Sequence, residues 1–378
     1  MERGNQMQRR LDSWVGIPLV ALAGGAKRFR NLVAPPRFAA ESAGRVGVIC
    51  LGAIGDLLLA TGLLAGLRRA LPHASIEILT SKANAATRGL LPPECRTVSF
   101  GVKDIPGIVQ HLRAARYDIL IDTGQWPRIS ALVAAASGAR CTVGFATPGQ
   151  YRHYAYDVAV PHRSDRHEVA NFLALGQALF PDLAGSPVVA IPESPSPACP
   201  ALPEAGVVFC HMWPSGLRSH LKEWPREYWA ELGTALRAGG YTPVFTGGPG
   251  DAAATTAFLE ASGLGSVDGR GGALSVAGAI SLPDLAYHMR RAAAVVSVNT
   301  GTMHLAAIAG APTVGLHGPT NPLRWGPVGP KTVSLLPRSG HSAYLNLGFE
   351  YPPDAEGVLR HLPVADVVAA LRGFGLSV

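Results

Sequence analysis

Three stretches of this 378-residue chain carry residue types and spacings suited to chemistry on an anion. The longest runs from Val295 to Gly329. A β-branched apolar run there passes through Asn299-Thr300-Gly301-Thr302 into an Ala-rich helical pattern from Met303 to Ile308. Gly310 and Pro312 end that helix, Thr313 to Leu316 reads as the next strand, and Gly318-Pro319-Thr320 opens a loop. A strand that turns through small hydroxyl residues into a helix presents unpaired N–H groups and the positive end of a helix dipole. A phosphate suits that combination, and a nucleotide diphosphate is the ligand it would hold. Backbone logic also allows the plainer reading, a Thr-Gly cap in an ordinary strand-to-helix turn.

The other two stretches supply a carboxylate and an ammonium. Asp56 follows the apolar run Val46 to Leu51 and the turn Gly52-Ala53-Ile54-Gly55, at the start of a helix reaching Ala70. That position is the mouth of a parallel sheet, where ligands bind, although a first-turn acid is also simply favoured by the helix dipole. Lys222 stands before Trp224-Pro225 and a helix from Arg226 to Ala238. A compact ammonium facing a helix N-terminus would stabilise a departing phosphate; the plain alternative is a surface lysine. Ser215 and Arg218 are secondary candidates in the same loop. His304, on the first turn of the Ala-rich helix, either donates to phosphate or caps. Gly247-Gly248-Pro249-Gly250-Asp251 permits close backbone approach to a ligand.

These residues need a scaffold, and the chain supplies alternating strands and helices. After Val46–Leu51 come a strand Ser75–Thr80, an Ala-rich helix Lys82–Leu90, a helix Ile105–Ala115 and a strand Tyr117–Asp122. Beyond position 203 come strands over Gly206–Cys210 and Pro243–Thr246. The pattern is α/β, with parallel sheets covered by helices on both faces. A dinucleotide fingerprint needs G-x-G-x-x-G, and only Gly52 and Gly55 are present, so a dehydrogenase reading is weak. Six prolines between Pro187 and Pro203 mark a semi-rigid linker. The segments are therefore a leader 1–44, a first domain 45–186, the linker 187–203, a second domain 204–362 and a C-terminal helix within 363–378.

Composition narrows the class. Hydrophobic content of 48% against 16% charged residues is ample for two cores. Five scattered cysteines without a C-x-x-C pair indicate buried thiols rather than disulfides or zinc. The loop His162-Arg163-Ser164-Asp165-Arg166-His167 reads as a solvated face, not a metal site, because no second ligand cluster exists. There is no apolar run of transmembrane length. Net charge is +7, of which residues 1–30 hold +4 through Arg3, Arg9, Arg10, Lys27, Arg28 and Arg30 against Glu2 and Asp12. The small surplus elsewhere argues against a nucleic-acid protein. The leader itself admits three readings: a signal peptide, an interfacial segment with Leu11, Trp14, Val15, Leu19, Leu22 and Phe29 on its apolar side, or a helix packed on the protein's own surface. Pro18 is expected to interrupt any long helix there.

Taken together, these motifs resemble glycosyltransferase family 9, the ADP-heptose:lipopolysaccharide heptosyltransferases, over about residues 45 to 375. The family's Asp-[Ser/Thr]-Gly-x-x-His helix start and Gly-Pro-Thr loop correspond to Asn299, Thr300, Gly301 and His304, then Gly318, Pro319 and Thr320. Asn299 keeps an acceptor oxygen but removes the charge of the usual Asp. Leu51 to Leu57 is similar to the family turn whose Asp is regarded as general base, with Gly52 and Ala53 where Ser is common. Lys222-Glu223-Trp224-Pro225 resembles the element whose Lys binds the donor diphosphate, and Asp251 is the nearest match to an acid that holds the nucleoside. The loop Asp122 to Arg128 occupies the place of one facing the acceptor, offering Arg128 to an acidic glycan and Trp126 to a sugar face.

The resemblance implies the glycosyltransferase-B fold, two Rossmann-like domains facing a cleft, with the C-terminal helix packing back on the first. It implies inverting, metal-independent transfer of heptose from ADP-heptose to a lipopolysaccharide-type or related glycan, lipid-linked or free. Asp56 would be the base; Lys222, Ser215, Asp251, Asn299, Thr300, Gly301, Thr302 and His304 would bind the donor. No cofactor beyond the nucleotide sugar and no nucleic-acid partner is expected. The location would be cytoplasmic, at the inner face of the plasma membrane if residues 1–30 bind anionic lipid. A transferase with another donor or acceptor, a nucleotide-sugar epimerase of the same fold, and an exported two-lobed binding protein are the alternatives.

Overall fold

The computed structural model describes residues 12, 14–33, 39–101, 104–216, 218–265, 272–346, 350, 352 and 357–378. Leader residues Arg3, Arg9, Arg10 and Leu11, and Pro35-Pro36 after the leader helix, lie outside them. The chain divides into two compact units, Met1–Val188 and Val189–Val378, so the boundary falls inside the expected linker.

In the first unit, strands β1 (Arg45–Cys50), β2 (Ser75–Ser81), β3 (Arg96–Phe100), β4 (Ile119–Asp122), β5 (Cys141–Ala146) and β6 (Val158–Pro161) form a parallel sheet in the order β3-β2-β1-β4-β5-β6. In the second unit, β7 (Val207–His211), β8 (Thr242–Thr246), β9 (Leu274–Ser275), β10 (Ala294–Val298), β11 (Thr313–Leu316) and β12 (Thr332–Leu335) repeat that topology as β12-β11-β10-β7-β8-β9. Both are doubly wound orders that reverse beside the first strand, between β1 and β4 and between β7 and β10. The central strands are buried almost throughout, as parallel strands covered on both faces must be; only Arg45 of β1 is exposed, and β10 is buried along its whole length, Ser297 included.

Two of the expected elements differ. The Ala-rich run Lys82–Leu90 is a 3-10 turn over Ala85–Leu90 only. Asn84 is responsible: its buried Nδ2 donates to the carbonyls of Cys50 and Gly52 while its Oδ1 accepts from the Ser81 N–H. A side chain so engaged competes with a helical path for its own segment. The C-terminal helix Val364–Gly373, expected to pack on the first domain, puts its buried residues Val364, Val367 and Leu371 into the second unit's own core. That core also holds Trp224 and Trp229, edge to face at 4.9 Å.

The leader contains an 18-residue helix, Gly16–Val33. Pro18 does not interrupt it, because it sits in the first turn, where N–H groups lack intrahelical partners anyway. One face packs on the first unit: Val20 joins its core, and buried Lys27 pairs with Asp157 at 2.7 Å and with Thr142. Just ahead of the helix, Asp12 pairs with Arg128 at 2.5 Å. The packed-helix reading therefore holds for that face.

The linker is tied down at both ends. Val188 donates to Thr61 Oγ1 at 2.9 Å, within the first unit. Ser196 donates through both N–H and hydroxyl to Asp284 at 2.7 Å, within the second.

Candidate active site

Asp56 lies half-buried in the first turn of the helix Ile54–Ala70, directly after β1. Its Oδ2 accepts the Ala53 N–H at 3.0 Å, and its Oδ1 is 3.5 Å from Gln125 Nε2. Gly52 makes the fold-back possible, since a Cβ there would fall 2.6 Å from Oδ2. Gln125 follows β4, so carboxylate and amide meet across the reversal of strand order, the crevice where open α/β sheets bind ligands.

The loop carrying Gln125 is fixed from behind by a fully buried network. Asp122 Oδ2 accepts from Arg152 Nη2 at 2.5 Å and from the Tyr156 hydroxyl at 2.6 Å. Burial pushes the Tyr156 phenol well above its usual range, so it stays a donor. Arg152 also donates to the Gly124 carbonyl, and Gly124 N–H donates to Asp122 Oδ1 at 2.8 Å. Arg128, expected to face an acceptor, is instead buried and bound to Asp12 and to the Gln150 carbonyl at 2.9 Å. It ties the leader to the unit rather than offering a charge to a glycan. Trp126 remains half-buried in the same loop.

In the second unit the flagged loops gather by topology. Ser215 and Lys222 follow β7, Asp251 follows β8, Asn299 to His304 follow β10, and Gly318-Pro319-Thr320 follow β11. These strands are consecutive neighbours and all parallel, so every loop emerges at the carboxyl edge of the sheet. The helix Gly301–Ala309 begins at the reversal of strand order. Its N-cap, Thr300, makes no side-chain cap, and its buried Oγ1 has no hydrogen-bond partner among the described residues. A hydroxyl at a helix N-terminus keeps its hydrogen-bonding capacity for an anion, which the helix dipole also favours.

Other candidates are partly committed. Lys222 Nζ donates to the Ser215 carbonyl at 2.6 Å, which joins the two ends of their loop. Asp251 Oδ2 accepts the Gly248 N–H at 2.8 Å, folding back as Asp56 does. Asn299 Nδ2 donates to the Trp325 carbonyl at 2.9 Å, a bond that an Asp cannot make. His304 is buried in its helix. In the His-rich loop, His162 is not solvated as expected but buried against Glu168 at 3.0 Å, and His167 caps the helix Glu168–Gln177. Among the described residues no group of three or more His, Cys, Asp or Glu converges as metal ligands. None of the helices formed by those residues is long and apolar enough to cross a membrane.

The sequence profile of glycosyltransferase family 9 (heptosyltransferase) matches residues 107–346, more than half of the chain. The chain belongs to glycosyltransferase family 9. The match spans the Gln125 loop and all four carboxyl-edge loops of the second unit; Asp56 precedes it. Solved structures agree on the glycosyltransferase-B fold. A family 9 glycosyltransferase from Veillonella parvula is 19% identical with a TM-score of 0.68, over 88% of this chain and 97% of that one. The Escherichia coli ADP-heptose lipopolysaccharide heptosyltransferase II is 21% identical at 0.65, over 87% and 99%. Escherichia coli heptosyltransferase WaaC, solved with ADP, is 19% identical at 0.64, over 87% and 99%. No curated protein sequence matches the chain. The family 9 chain is thus a glycosyltransferase of the heptosyltransferase type.

Sequence reasoning missed three supporting residues. Gln125 lay inside a flagged loop, and its position after β4 at the strand-order reversal was the available signal. Asn84 and Arg152 sit far along the chain from the loops they hold, and nothing local marks them.

Proposed function

We propose that this enzyme transfers heptose from ADP-heptose to a lipopolysaccharide-type or related glycan, with inversion and without a metal. The observation that carries the reading is the Thr300 hydroxyl, without a hydrogen-bond partner among the described residues, at the N-terminus of Gly301–Ala309, one strand away from the Lys222 loop. The donor diphosphate would lie against that helix end, with Lys222 and Ser215 on the neighbouring loop and Asp251 toward the nucleoside. The acceptor hydroxyl would lose its proton to Asp56 as its oxygen attacks the anomeric carbon. The bond from that carbon to the diphosphate oxygen breaks, and ADP leaves. Helix dipole and ammonium then offset the charge on the departing phosphate. The absence of an Asp-x-Asp motif in the sequence favours this arrangement. Gln125, close to Asp56 Oδ1, would orient the base toward the acceptor.

Two substitutions test the division of labour. Asp56→Ala should lower transfer by about 10² to 10⁴ while ADP affinity stays near wild type, the usual contribution of a general base. Turnover within a few-fold of wild type would remove Asp56 from the mechanism. Lys222→Ala should weaken both ADP binding, read by calorimetry, and transfer. Unchanged ADP affinity would mean that its ammonium serves only the Ser215 carbonyl. Calorimetry across nucleotide sugars, ADP-heptose first, identifies the donor.

A further inference from the structure

We propose that the outward face of the leader helix Gly16–Val33 docks the enzyme on an anionic lipid surface. Such docking is separate from the transfer reaction and independent of which donor the enzyme uses.

The helix has two faces with opposite assignments. Val20, Gly24 and Lys27 recur at helical spacing and are buried against the first unit. The approach is close: a Cβ at Gly24 would fall 2.0 Å from the Tyr154 carbonyl oxygen. The helix is therefore fixed in rotation, and what it turns outward is determined. On the opposite side stand Leu22 and Phe29, each 71% exposed, Leu32 at 81% and Val33 at 73%, extended by Trp14 at 81% just before the helix. Single exposed apolar residues are ordinary, but five large ones aligned on one helix face form a patch that a soluble surface does not need.

Charge selects the occupant. From Trp14 to Val33 the sequence contains no acidic residue and three basic ones, Lys27, Arg28 and Arg30, and residues 1–30 carry +4 of the chain's +7. Beside the apolar face lies a cavity of about 440 Å³ lined by Gly24, Lys27, Arg28, Leu32, Tyr154, Tyr156 and Asp157. Asp157 is engaged by Lys27, and the Arg28 guanidinium lies over the Tyr154 ring at 5.8 Å. An apolar strip containing Trp and Phe, next to a cationic recess large enough for a phosphate headgroup, matches the two layers of an anionic bilayer surface. A protein partner would ordinarily be met with mixed charge around the apolar centre.

The test uses the full chain and two vesicle compositions, phosphatidylcholine alone and an equal mixture with phosphatidylglycerol. Flotation should recover wild-type protein with the anionic vesicles, little with the neutral ones, and less as salt rises. Replacing Trp14, Leu22 and Phe29 together by Ser should lower vesicle affinity about tenfold or more, and Arg28→Glu by roughly fivefold or more. The triple variant leaves the inward face untouched, so its thermal midpoint should remain at the wild-type value, whereas Arg28→Glu also loses the contact with the Tyr154 ring; ADP affinity should be unchanged in both, which separates this proposal from that of the donor site. Three results would overturn it: equal binding to both vesicle types or to neither, undiminished binding of the triple variant, or a wild-type dimer in sedimentation that the triple variant dissolves. The last would make the face a contact between two copies of the chain.

Discussion

The two oxygens of the Asp56 carboxylate have separate tasks: one closes the turn through Ala53, the other faces Gln125. Family members often carry Ser where this chain has Gly52, and here the missing Cβ lets the carboxylate fold back. A different constraint governs His211, at the end of β7. It is buried, with Nδ1 at 2.8 Å from Thr246 Oγ1, and burial pushes it down to about 4 from an ordinary value near 6.5. The unfolded chain therefore takes up a proton near pH 6.5 that the folded chain refuses until about pH 4. Stability from this group is fully present above the unfolded value and is lost as pH falls toward the folded one. Between roughly pH 7.5 and pH 5 the loss should be about 2 kcal/mol. The check is the stability difference between wild type and His211→Asn, followed by denaturant unfolding across that range. It should shift against wild type on acidification, and a pH-independent difference would show that His211 titrates normally.

Elements are joined into a site by a few side-chain to backbone bonds, and the Asn299–Trp325 bond is the clearest. It ties the turn after β10 to the short helix Pro322–Trp325 beyond β11. Asn299→Asp, which restores the usual family residue, would face a carboxylate oxygen with a carbonyl oxygen. The expected cost is about 1 to 3 kcal/mol of stability, together with an altered donor profile as the loop shifts. Identical melting and donor profiles in the two proteins would mean that the amide bond contributes nothing. The same contrast explains what was legible in the sequence. The helices at Arg226–Ala238 and Ile105–Ala115, the strand Thr313–Leu316 and the four carboxyl-edge loops announce themselves through local periodicity and turn residues. Asn84, Arg152 and the commitment of Arg128 to Asp12 do not, because their meaning lies in partners brought close only by the fold. The Ala-rich run after β2 misled for the same reason: helix propensity is weaker than one buried Asn holding two carbonyls.

At the scale of the molecule, each unit has its own sheet, its own core and its own half of the proposed chemistry: base in the first, diphosphate site in the second. The leader belongs to the first of these. Because Val20, Lys27 and the Asp12–Arg128 pair are built into that unit, removing residues 1–40 would unroof a core as well as delete a surface, and point changes on the outward face are the sounder probe. What connects the halves is short. Between the Val188 bond to Thr61 and the Ser196 bonds to Asp284, only residues 189–195 are left to act as a strap, spanning roughly 25 Å at most. A tether of that length holds each half at an effective concentration on the order of millimolar with respect to the other. If the proposed reaction draws its base from one half and its donor from the other, that strap makes their meeting a first-order event, indifferent to dilution. If a protease site placed at Glu193-Ser194 is cut after folding, that meeting becomes second-order. Specific activity should then fall on dilution in proportion to protein concentration, while ADP affinity of the second unit stays constant. A nicked enzyme whose specific activity survives dilution would show that the halves cohere without their strap.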